Sequence, residues 1–215
     1  MNFKNRNVAG IALANALVSF KESNPLVFGL PRGGVPVAYE VAKVLKVPVD
    51  VIVVRKLGVP WQPELAFGAI GESDVTYLNT NLINELGLDR ESQKQVIERE
   101  KKNVHERLLK FRGHSQSPDL TSRLAIIVDD GIATGATVKA ACKVARKLGA
   151  TEIVVATPVA TRESIQELKQ FADQCVALTT PEHFYAVGQW YEDFRSVSDD
   201  EVARILRESN KVHAG

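Results

Sequence analysis

Short apolar runs alternate with amphipathic stretches along most of the chain. Runs of about four to eight aliphatic and β-branched residues are typical of buried strands, whereas apolar residues three or four positions apart indicate helices. The runs that predict strands are Leu26–Leu30, Val49–Val54, Leu124–Val128, Ile153–Thr157 and Val176–Thr179. The helical patterns between them lie near Val35–Leu45, Thr137–Leu148 and Arg162–Phe171. This alternation predicts an α/β fold in which a parallel sheet is flanked by helices.

Two segments interrupt the alternation. The chain from Leu57 to Leu78 is rich in glycine and proline, and we predict a loop with short strands near Ala66–Ile70 and Val75–Leu78. The chain from Asp89 to Phe111 predicts a long, charged, inserted helix with Asp89 as its N-cap. Neither an internal repeat nor a low-complexity linker divides the sequence. We therefore expect a single domain over residues 1–215, with its core at about 20–180.

The first 20 residues resemble a signal peptide, because Lys4 and Arg6 precede a moderately apolar stretch. Asn15 interrupts that stretch, and the first predicted strand begins soon after it, at Leu26. We therefore expect a helix of the domain here. No apolar run approaches the roughly 20 residues of a membrane span without polar breaks, so we expect a cytoplasmic protein without membrane contact.

Composition excludes some classes of protein. The 215 residues include 27 basic and 26 acidic side chains, and a net charge of +1 provides no global field for nucleic acid. Hydrophobic residues make up 45% of the chain, as in ordinary globular proteins. Cys142 and Cys175 have no metal-ligand spacing, and we expect them to be buried, reduced thiols.

The stretch "LAIIVDDGIATGATVKAA" combines a predicted strand, two aspartates and a bare loop before a helix. Ligands of parallel sheets bind beyond the carboxyl ends of the strands, and free N–H groups at a helix N-terminus suit an anion. The absence of a Walker lysine argues against a nucleoside triphosphatase. Asp129 and Asp130 would repel a phosphate in the same pocket, but they can accept hydrogen bonds from two neighbouring sugar hydroxyls. The pattern indicates a ribose 5-phosphate; the alternative is a tight turn in which one aspartate caps the helix.

This stretch resembles the phosphoribosyl-pyrophosphate loop of type I phosphoribosyltransferases, in which an apolar strand, two acidic residues and a T-G-x-T turn follow one another. The resemblance implies the type I phosphoribosyltransferase fold. It also implies that Asp129 and Asp130 bind the ribose hydroxyls. The residues it assigns to the 5-phosphate are Gly131, Ile132, Ala133, Thr134, Gly135, Ala136 and Thr137.

A second loop, "GLPRGGVP", follows the first predicted strand. Gly33 and Gly34 allow backbone amides to approach an anion closely, and Arg32 can bind it through two nitrogens. The resemblance makes Pro31, Arg32, Gly33 and Gly34 the pyrophosphate loop. A glycine-rich turn with a purely structural role is the alternative.

Arg55 and Lys56 close the second predicted strand, where cations would face the same pyrophosphate. The alternative is a pair of solvated surface charges. The following loop, "GVPWQPELAFGAIGE", occupies the position of the family's mobile catalytic lid, yet it lacks the basic residue that several members have there. Trp61 and Glu64 could still contact the acceptor.

The segment "PEHFYAVGQWYEDFRSVSDDEV" is rich in aromatic residues, which could simply belong to the core. It also resembles the base-binding hood of hypoxanthine-guanine phosphoribosyltransferases, here expected at about 181–200. The resemblance implies that Phe184 or Trp190 stacks on a planar acceptor, and that Glu192 or Asp193 contacts a magnesium ion.

Together, these resemblances imply Mg²⁺-dependent transfer of a 5-phosphoribosyl group from phosphoribosyl pyrophosphate to a nitrogenous acceptor, in a homodimeric enzyme. Arg32, Arg55 and Lys56 would be its catalytic cations. Two alternatives stay open. One is a regulator that binds phosphoribosyl pyrophosphate without chemistry, and the other is a hydrolase that uses water as the acceptor.

Overall fold

The computed structural model describes residues 2–213. Its strands are β1 (Leu26–Gly29), β2 (Val49–Val51), β3 (Val54–Val59), β4 (Gln62–Gly71), β5 (Thr76–Leu78), β6 (Leu124–Val128), β7 (Glu152–Val159) and β8 (Gln174–Thr179). Its α-helices are α1 (Arg6–Ala16), α2 (Gly34–Leu45), α3 (Thr80–Leu86), α4 (Arg90–Arg112), α5 (Ala136–Lys147), α6 (Arg162–Leu168) and α7 (Asp199–His213).

Five strands form a parallel sheet in the order β2-β1-β6-β7-β8. Every residue of β1 and β6 is buried, as expected for strands covered on both faces. Gly29 and Val128, the last residues of these two strands, are register partners. The loops that follow β1 and β6 therefore leave the same edge of the sheet side by side. The predicted parallel sheet between helices is confirmed.

A second, antiparallel sheet contains β3, β4 and β5. It contains the short strands predicted near Ala66–Ile70 and Val75–Leu78, but β3 and the greater length of β4, Gln62–Gly71, take the place of the loop predicted around them. The predicted strand Val49–Val54 is also wrong in extent: β2 ends at Val51, and Val54 begins β3. The apolar run does not reveal the bend, because Ile52 and Val53 are buried where the chain passes from one sheet to the other.

The inserted helix α4 begins as predicted. The carboxylate of Asp89 accepts a hydrogen bond from the backbone N–H of Ser92 at 2.9 Å, which satisfies an otherwise free donor of the first turn. Near the other end of the helix, the buried guanidinium of Arg112 contacts Asp50 at 2.7 Å and Glu72 at 2.8 Å. Asp50 lies in β2 and Glu72 follows β4, so this ion cluster fastens α4 to both sheets.

Helices at both ends of the chain pack onto the domain. α1 buries Ala9 and Leu13 and packs against α2, in agreement with a helix of the domain. The sequence-based prediction did not include α7, which packs against α4 and α2 through a face that includes Val202 and Leu206. Within residues 2–213, no helix combines the length and the apolar character that crossing a membrane requires.

The two cysteines are free, as predicted. Cys142 is buried and Cys175 is half-buried. Burial raises the pKa of the Cys142 thiol to about 12, so this side chain stays protonated at neutral pH.

Candidate functional site

The two glycine-containing loops touch at the carboxyl edge of the parallel sheet. A Cβ atom on Gly33 would lie 2.6 Å from the carboxyl carbon of Asp130, and one on Gly34 would lie 2.6 Å from the carbonyl oxygen of Val128. Both distances are shorter than side-chain carbons tolerate. The backbone of the PRGG loop can therefore lie against the aspartate pair only because these two positions lack a side chain.

The paired aspartates differ in their surroundings. Asp130 is buried, and its carboxylate accepts a 2.7 Å hydrogen bond from Nε of Arg6. Asp129 makes no ion pair with a residue of the described range, although its carboxylate accepts the backbone N–H of Asp130 at 3.0 Å. Burial, followed by the charge of Asp130, raises the pKa of Asp129 well above its usual 3.8. Burial also raises the pKa of Asp130, and Arg6 opposes that change.

The carboxylate of Asp129, whose charge Arg6 offsets only in part, should reduce stability at neutral pH. Because its pKa is higher in the folded state, ionisation disfavours folding as pH rises past 3.8, and the cost is complete above the raised value. We expect Asp129→Asn to increase the free energy of unfolding at pH 7 by about 1 kcal/mol, which is about 2–4 °C in melting temperature. Asparagine keeps an oxygen for the Asp130 N–H.

Thermal unfolding of the wild-type protein and of Asp129→Asn at about pH 7 and about pH 3 checks this prediction. The difference in melting temperature should vanish at the lower pH, because Asp129 is then protonated in the folded and in the unfolded state. An equal or lower melting temperature of Asp129→Asn at neutral pH would contradict it.

The loop after the aspartates presents free backbone donors. The N–H groups of Ala133, Thr134 and Gly135 have no hydrogen-bond acceptor among residues 2–213. Gly135 has φ +70°, in the left-handed region that glycine occupies without strain, and α5 begins at the next residue. The free amides and the N-terminus of α5 together suit an anion.

Ile132 differs from the other residues of the predicted phosphate loop. Its N–H donates to the carbonyl of Val159 at 2.9 Å, and its side chain is buried. Its carbonyl accepts the N–H of Thr161 at 3.0 Å. Ile132 therefore anchors the loop to the end of β7, and its amide is not available to a ligand.

A hood lies over the aspartates, as the sequence predicts for residues around 181–200. A Cβ atom on Gly131 would lie 2.8 Å from a methyl group of Val187, so hood and loop are in contact there. The hydroxyl of Tyr191 donates to the carbonyl of Asp130 at 2.5 Å. Burial, followed by the Asp130 charge, raises the pKa of Tyr191, which keeps its hydroxyl protonated as a donor.

The N-terminal segment completes this hood, which the sequence assigned to the C-terminal segment alone. Phe3 forms an isolated bridge with Tyr191, and its N–H donates to the Trp190 carbonyl at 2.8 Å. Arg6 donates to the carbonyl of Arg195 at 2.8 Å and places its guanidinium 4.0 Å from the ring centre of Phe194. Arg6 thus joins the aspartate pair to the hood through charge, hydrogen bonds and a cation–π contact.

Sequence reasoning missed Arg6 and Tyr191 as parts of the site. The partners of Arg6 lie 124 and 189 positions away in the chain, so no local spacing reveals them. Tyr191 is one of several hood aromatics, and nothing in the sequence distinguishes it from the others. For Arg6, the sequence shows only an arginine at the first position of an amphipathic helix, and this pattern is common on protein surfaces.

Phe184 and Trp190, the residues predicted to contact the acceptor, are both half-buried in the hood. Trp190 packs beside Phe3, Ala9 and Tyr191. Its buried indole N–H has no acceptor among the described residues. Trp190 therefore supports the hood and keeps one unused donor within it.

The three cations predicted at the pyrophosphate lie on two parts of the fold, Arg32 in the PRGG loop and Arg55 and Lys56 in β3. Arg32 extends from its loop to within 3.7 Å of the Asp199 carboxylate. Arg55 lies in β3, where its Nε donates to Glu100 at 3.1 Å, and Lys56 is exposed. The prediction that Arg55 and Lys56 close a parallel strand is wrong, because the chain has already left the parallel sheet.

The predicted lid is a hairpin made by β3 and β4. Trp61 lies in the turn between these strands with 61% of its surface exposed, and Glu64 is also exposed. Leu57 and Phe67 are fully buried, so the base of the hairpin belongs to the core. Any lid movement would therefore be confined to the tip.

Glu192 and Asp193, the predicted metal contacts, are both exposed. The carboxylate of Asp193 lies 3.2 Å from Arg195. Residues 2–213 contain no group of three or more metal-ligating side chains close enough to hold an ion. A magnesium ion needs only one or two protein carboxylates when ligand phosphates supply further oxygens. The donors present fit an ion that arrives with a phosphorylated ligand, and they do not form a resident metal centre.

Fold and site define an α/β protein with a candidate ligand site at the carboxyl edge of a parallel sheet, beside a hood. The family model of the phosphoribosyl transferase domain matches residues 4–195, and the chain belongs to that family. The resemblance inferred from the two loops is thereby confirmed.

Individual relatives agree with this assignment. A protein of Mycobacterium tuberculosis, provisionally named a phosphoribosyl transferase, is 48% identical over 212 residues, which cover 99% of this chain and 48% of the relative. The chain thus spans about half the length of the curated relatives it matches. The crystal structure of TT1426 from Thermus thermophilus superposes with a TM-score of 0.85 at 40% identity, over 97% of this chain and 99% of that one. The type I phosphoribosyltransferase fold is confirmed.

A more distant structure shares the fold alone. AQ2163 from Aquifex aeolicus has a TM-score of 0.51 at 11% identity, covering 85% of this chain and 78% of its own.

Proposed function

We propose that this protein transfers the 5-phosphoribosyl group of phosphoribosyl pyrophosphate to a nitrogenous acceptor and releases pyrophosphate. The observation that carries the proposal is the contact between Gly33 and the carboxylate of Asp130. The contact places a backbone loop suited to pyrophosphate beside a carboxylate pair suited to ribose hydroxyls. One ligand is long enough to reach both. Family membership supports the general transferase activity.

The reaction needs a stabilised leaving group more than a strong base. Departure of pyrophosphate from C1 leaves an oxocarbenium-like sugar, and fixed positive charge near the departing oxygens lowers the barrier. Arg32 and the amides of Gly33 and Gly34 would supply that charge, while Asp129 and Asp130 would hold the ribose in line for attack.

Mg²⁺ would be the cofactor. Its chemistry when bound is to neutralise pyrophosphate charge. Glu192 and Asp193 could each supply one oxygen beside the ligand phosphates, and Asp193 would then have to exchange its contact with Arg195. We also propose a homodimer and a cytoplasmic location.

A regulator that binds phosphoribosyl pyrophosphate without chemistry is the second candidate. It is favoured by the predicted lid, whose turn presents Trp61 and no cation, and by the engagement of Arg55 with Glu100. Such a protein would bind the ligand and release no pyrophosphate. A hydrolase would release pyrophosphate with water as the acceptor.

Pyrophosphate release in the presence of Mg²⁺ separates these functions. The assay should include a panel of bases and amines, a control without acceptor, and Asp130→Asn as the impaired variant. Release that depends on an acceptor supports the transferase. Release without any acceptor supports the hydrolase, and tight binding without release supports the regulator.

Hypoxanthine and guanine should be poor acceptors. The enzymes that use them have an aspartate before T-G in the phosphate loop, whereas this chain has Ala133, which cannot exchange a proton. They also have a lysine for the 6-oxo group, whereas "TPVATRES" contains none and Arg162, its cation, is exposed, 3.9 Å from Glu182. A positioned acid or base is worth about 10²–10⁴ in rate. Steady-state assays check this: turnover of either base at about 1–10³ s⁻¹ would refute it.

A further inference from the structure

Thr161 lies in the turn between β7 and α6 and contacts the predicted phosphate loop from that side. Its backbone N–H donates to the carbonyl of Ile132 at 3.0 Å. Its hydroxyl donates to the carbonyl of Ala133, the next residue of the loop, at 2.9 Å. Two successive carbonyls of the loop are therefore bound by one residue of a different segment. The sequence pattern assigns no role to this threonine.

A second hydrogen bond of Thr161 Oγ1 directs its proton. The oxygen accepts the backbone N–H of Ser164 at 3.1 Å and so caps the N-terminus of α6. A hydroxyl that accepts one hydrogen bond can still donate its own proton, and the Ala133 carbonyl is the acceptor within reach. The cap of α6 and the loop are thereby joined at a single hydroxyl.

The two carbonyl bonds determine where the amides of the loop point. The peptide bonds here are trans, and the N–H of a planar trans peptide points away from its C=O. The carbonyl of Ile132 shares a peptide with the N–H of Ala133, and the carbonyl of Ala133 shares one with the N–H of Thr134. Since Thr161 binds both carbonyls, both N–H groups face the opposite side. Successive N–H groups that face one side form a concave anion site.

The sheet fixes the position from which Thr161 acts. Ile132 and Ala160 form an isolated parallel bridge, and both are buried. The N–H of Ala160 donates to the carbonyl of Thr179 in β8 at 3.1 Å. The loop is thus anchored to the sheet as far as Ile132. Beyond that residue, the Thr161 hydroxyl is the only hydrogen-bond donor to the Ala133 carbonyl within residues 2–213.

We propose that Thr161 is a positioning residue, which aims the N–H groups of Ala133 and Thr134 at the phosphate of the ligand. It acts through the carbonyls on the far side of the same two peptides. The proposal rests on the proposed function only for the identity of the anion, the 5-phosphate of a ribose. It does not require transfer, because the phosphate binds without chemistry at C1.

Calorimetric titration with ribose 5-phosphate tests the proposal in the full chain. Thr161→Val keeps the shape of the side chain and removes the hydroxyl. The affinity for ribose 5-phosphate should therefore fall by about 3–10-fold, the range that corresponds to the net contribution of one hydrogen bond. Thr161→Ser keeps the hydroxyl and should restore most of the affinity.

Asp89→Ala is the matched control for the loss of a helix cap. It removes the side-chain acceptor at the start of α4, as Thr161→Val does at the start of α6. The control should bind ribose 5-phosphate as tightly as the wild-type protein. Unchanged affinity in Thr161→Val, an equal loss in Asp89→Ala or no recovery in Thr161→Ser would overturn the proposal.

Amide NMR of the wild-type protein adds a measurement that does not depend on the folding of a variant. The amide protons of Ala133 and Thr134 should shift when ribose 5-phosphate is added, and the Thr134 shift should be smaller in Thr161→Val. Wild-type signals that stay in place would overturn the proposal. These shifts in a protein that releases no pyrophosphate would support the positioning role and contradict the transferase. Pyrophosphate release with unchanged affinity in Thr161→Val would contradict the positioning role alone.

Discussion

Gly33→Ala is expected to lower kcat/KM for pyrophosphate release by about 100-fold or more, because misplacing a site by 1 Å can cost this much. The new methyl group would lie 2.6 Å from the carboxyl carbon of Asp130, so either that carboxylate or the PRGG loop must move. Alanine adopts the backbone angles of residue 33 without strain, since φ is −63° and ψ is −33°. The effect is therefore steric and confined to the site.

Steady-state kinetics and titration with phosphoribosyl pyrophosphate measure this effect. The control is Gly87→Ala, where a Cβ atom meets nothing within 4 Å. Its φ of +61° makes alanine somewhat unfavourable, but the position lies at the end of α3, away from both loops. Wild-type kinetics in Gly33→Ala would show that the two loops do not share a ligand.

Asp130→Asn should weaken binding of phosphoribosyl pyrophosphate by about 1–3 kcal/mol, the usual worth of a hydrogen bond to a charged group. Its effect on the free energy of unfolding should be small, because two effects oppose each other: Arg6, whose guanidinium is only 10% exposed, loses its carboxylate, while a buried carboxylate with a raised pKa is removed. Asp129→Asn differs, because the carboxylate it removes makes no ion pair within residues 2–213.

Calorimetry measures the ligand affinity, and urea unfolding measures the stability. The matched variant is Arg6→Gln, which removes the charge from the other side of the pair. In a double-mutant cycle, the two substitutions should be non-additive by about 0.5–3 kcal/mol. Unchanged affinity in a folded Asp129/Asp130 double variant would rule out the ribose assignment.

Much of the fold was predictable because its information is local. The apolar runs of β1 and β6 mark strands buried on both faces, and the glycines after them mark loops at the carboxyl edge. Because ligands bind at this edge of a parallel sheet, the sequence alone predicts that Gly33 and Asp130 lie close together. The structure shows that they are in contact.

Most of the features that the sequence analysis did not predict depend on partners that are distant in the chain. Val49–Val54 is one apolar run in the sequence, but two sheets share it, and only packing decides where the bend falls. Arg6 is an ordinary basic residue until Asp130 and Arg195 are folded beside it. Helix α7 is different, since acidic residues in its first turn and apolar residues four positions apart are local signals, overlooked behind the aromatic residues of the hood.

The junction of Arg6 with Asp130 and Arg195 also sets the order in which the site can be completed during synthesis. Arg195 is made 189 positions after Arg6, which is about 10–40 s at the usual translation rate of roughly 5–20 residues per second. Both ligand loops exist as polypeptide only after Thr137 has been made, 54 positions before Tyr191, so the aspartate pair lacks the segment that encloses it for about 3–11 s at the same rate. A nascent chain that stalls before residue 191 would therefore expose the aspartate pair to water, with Arg6 as its only completed contact from the hood.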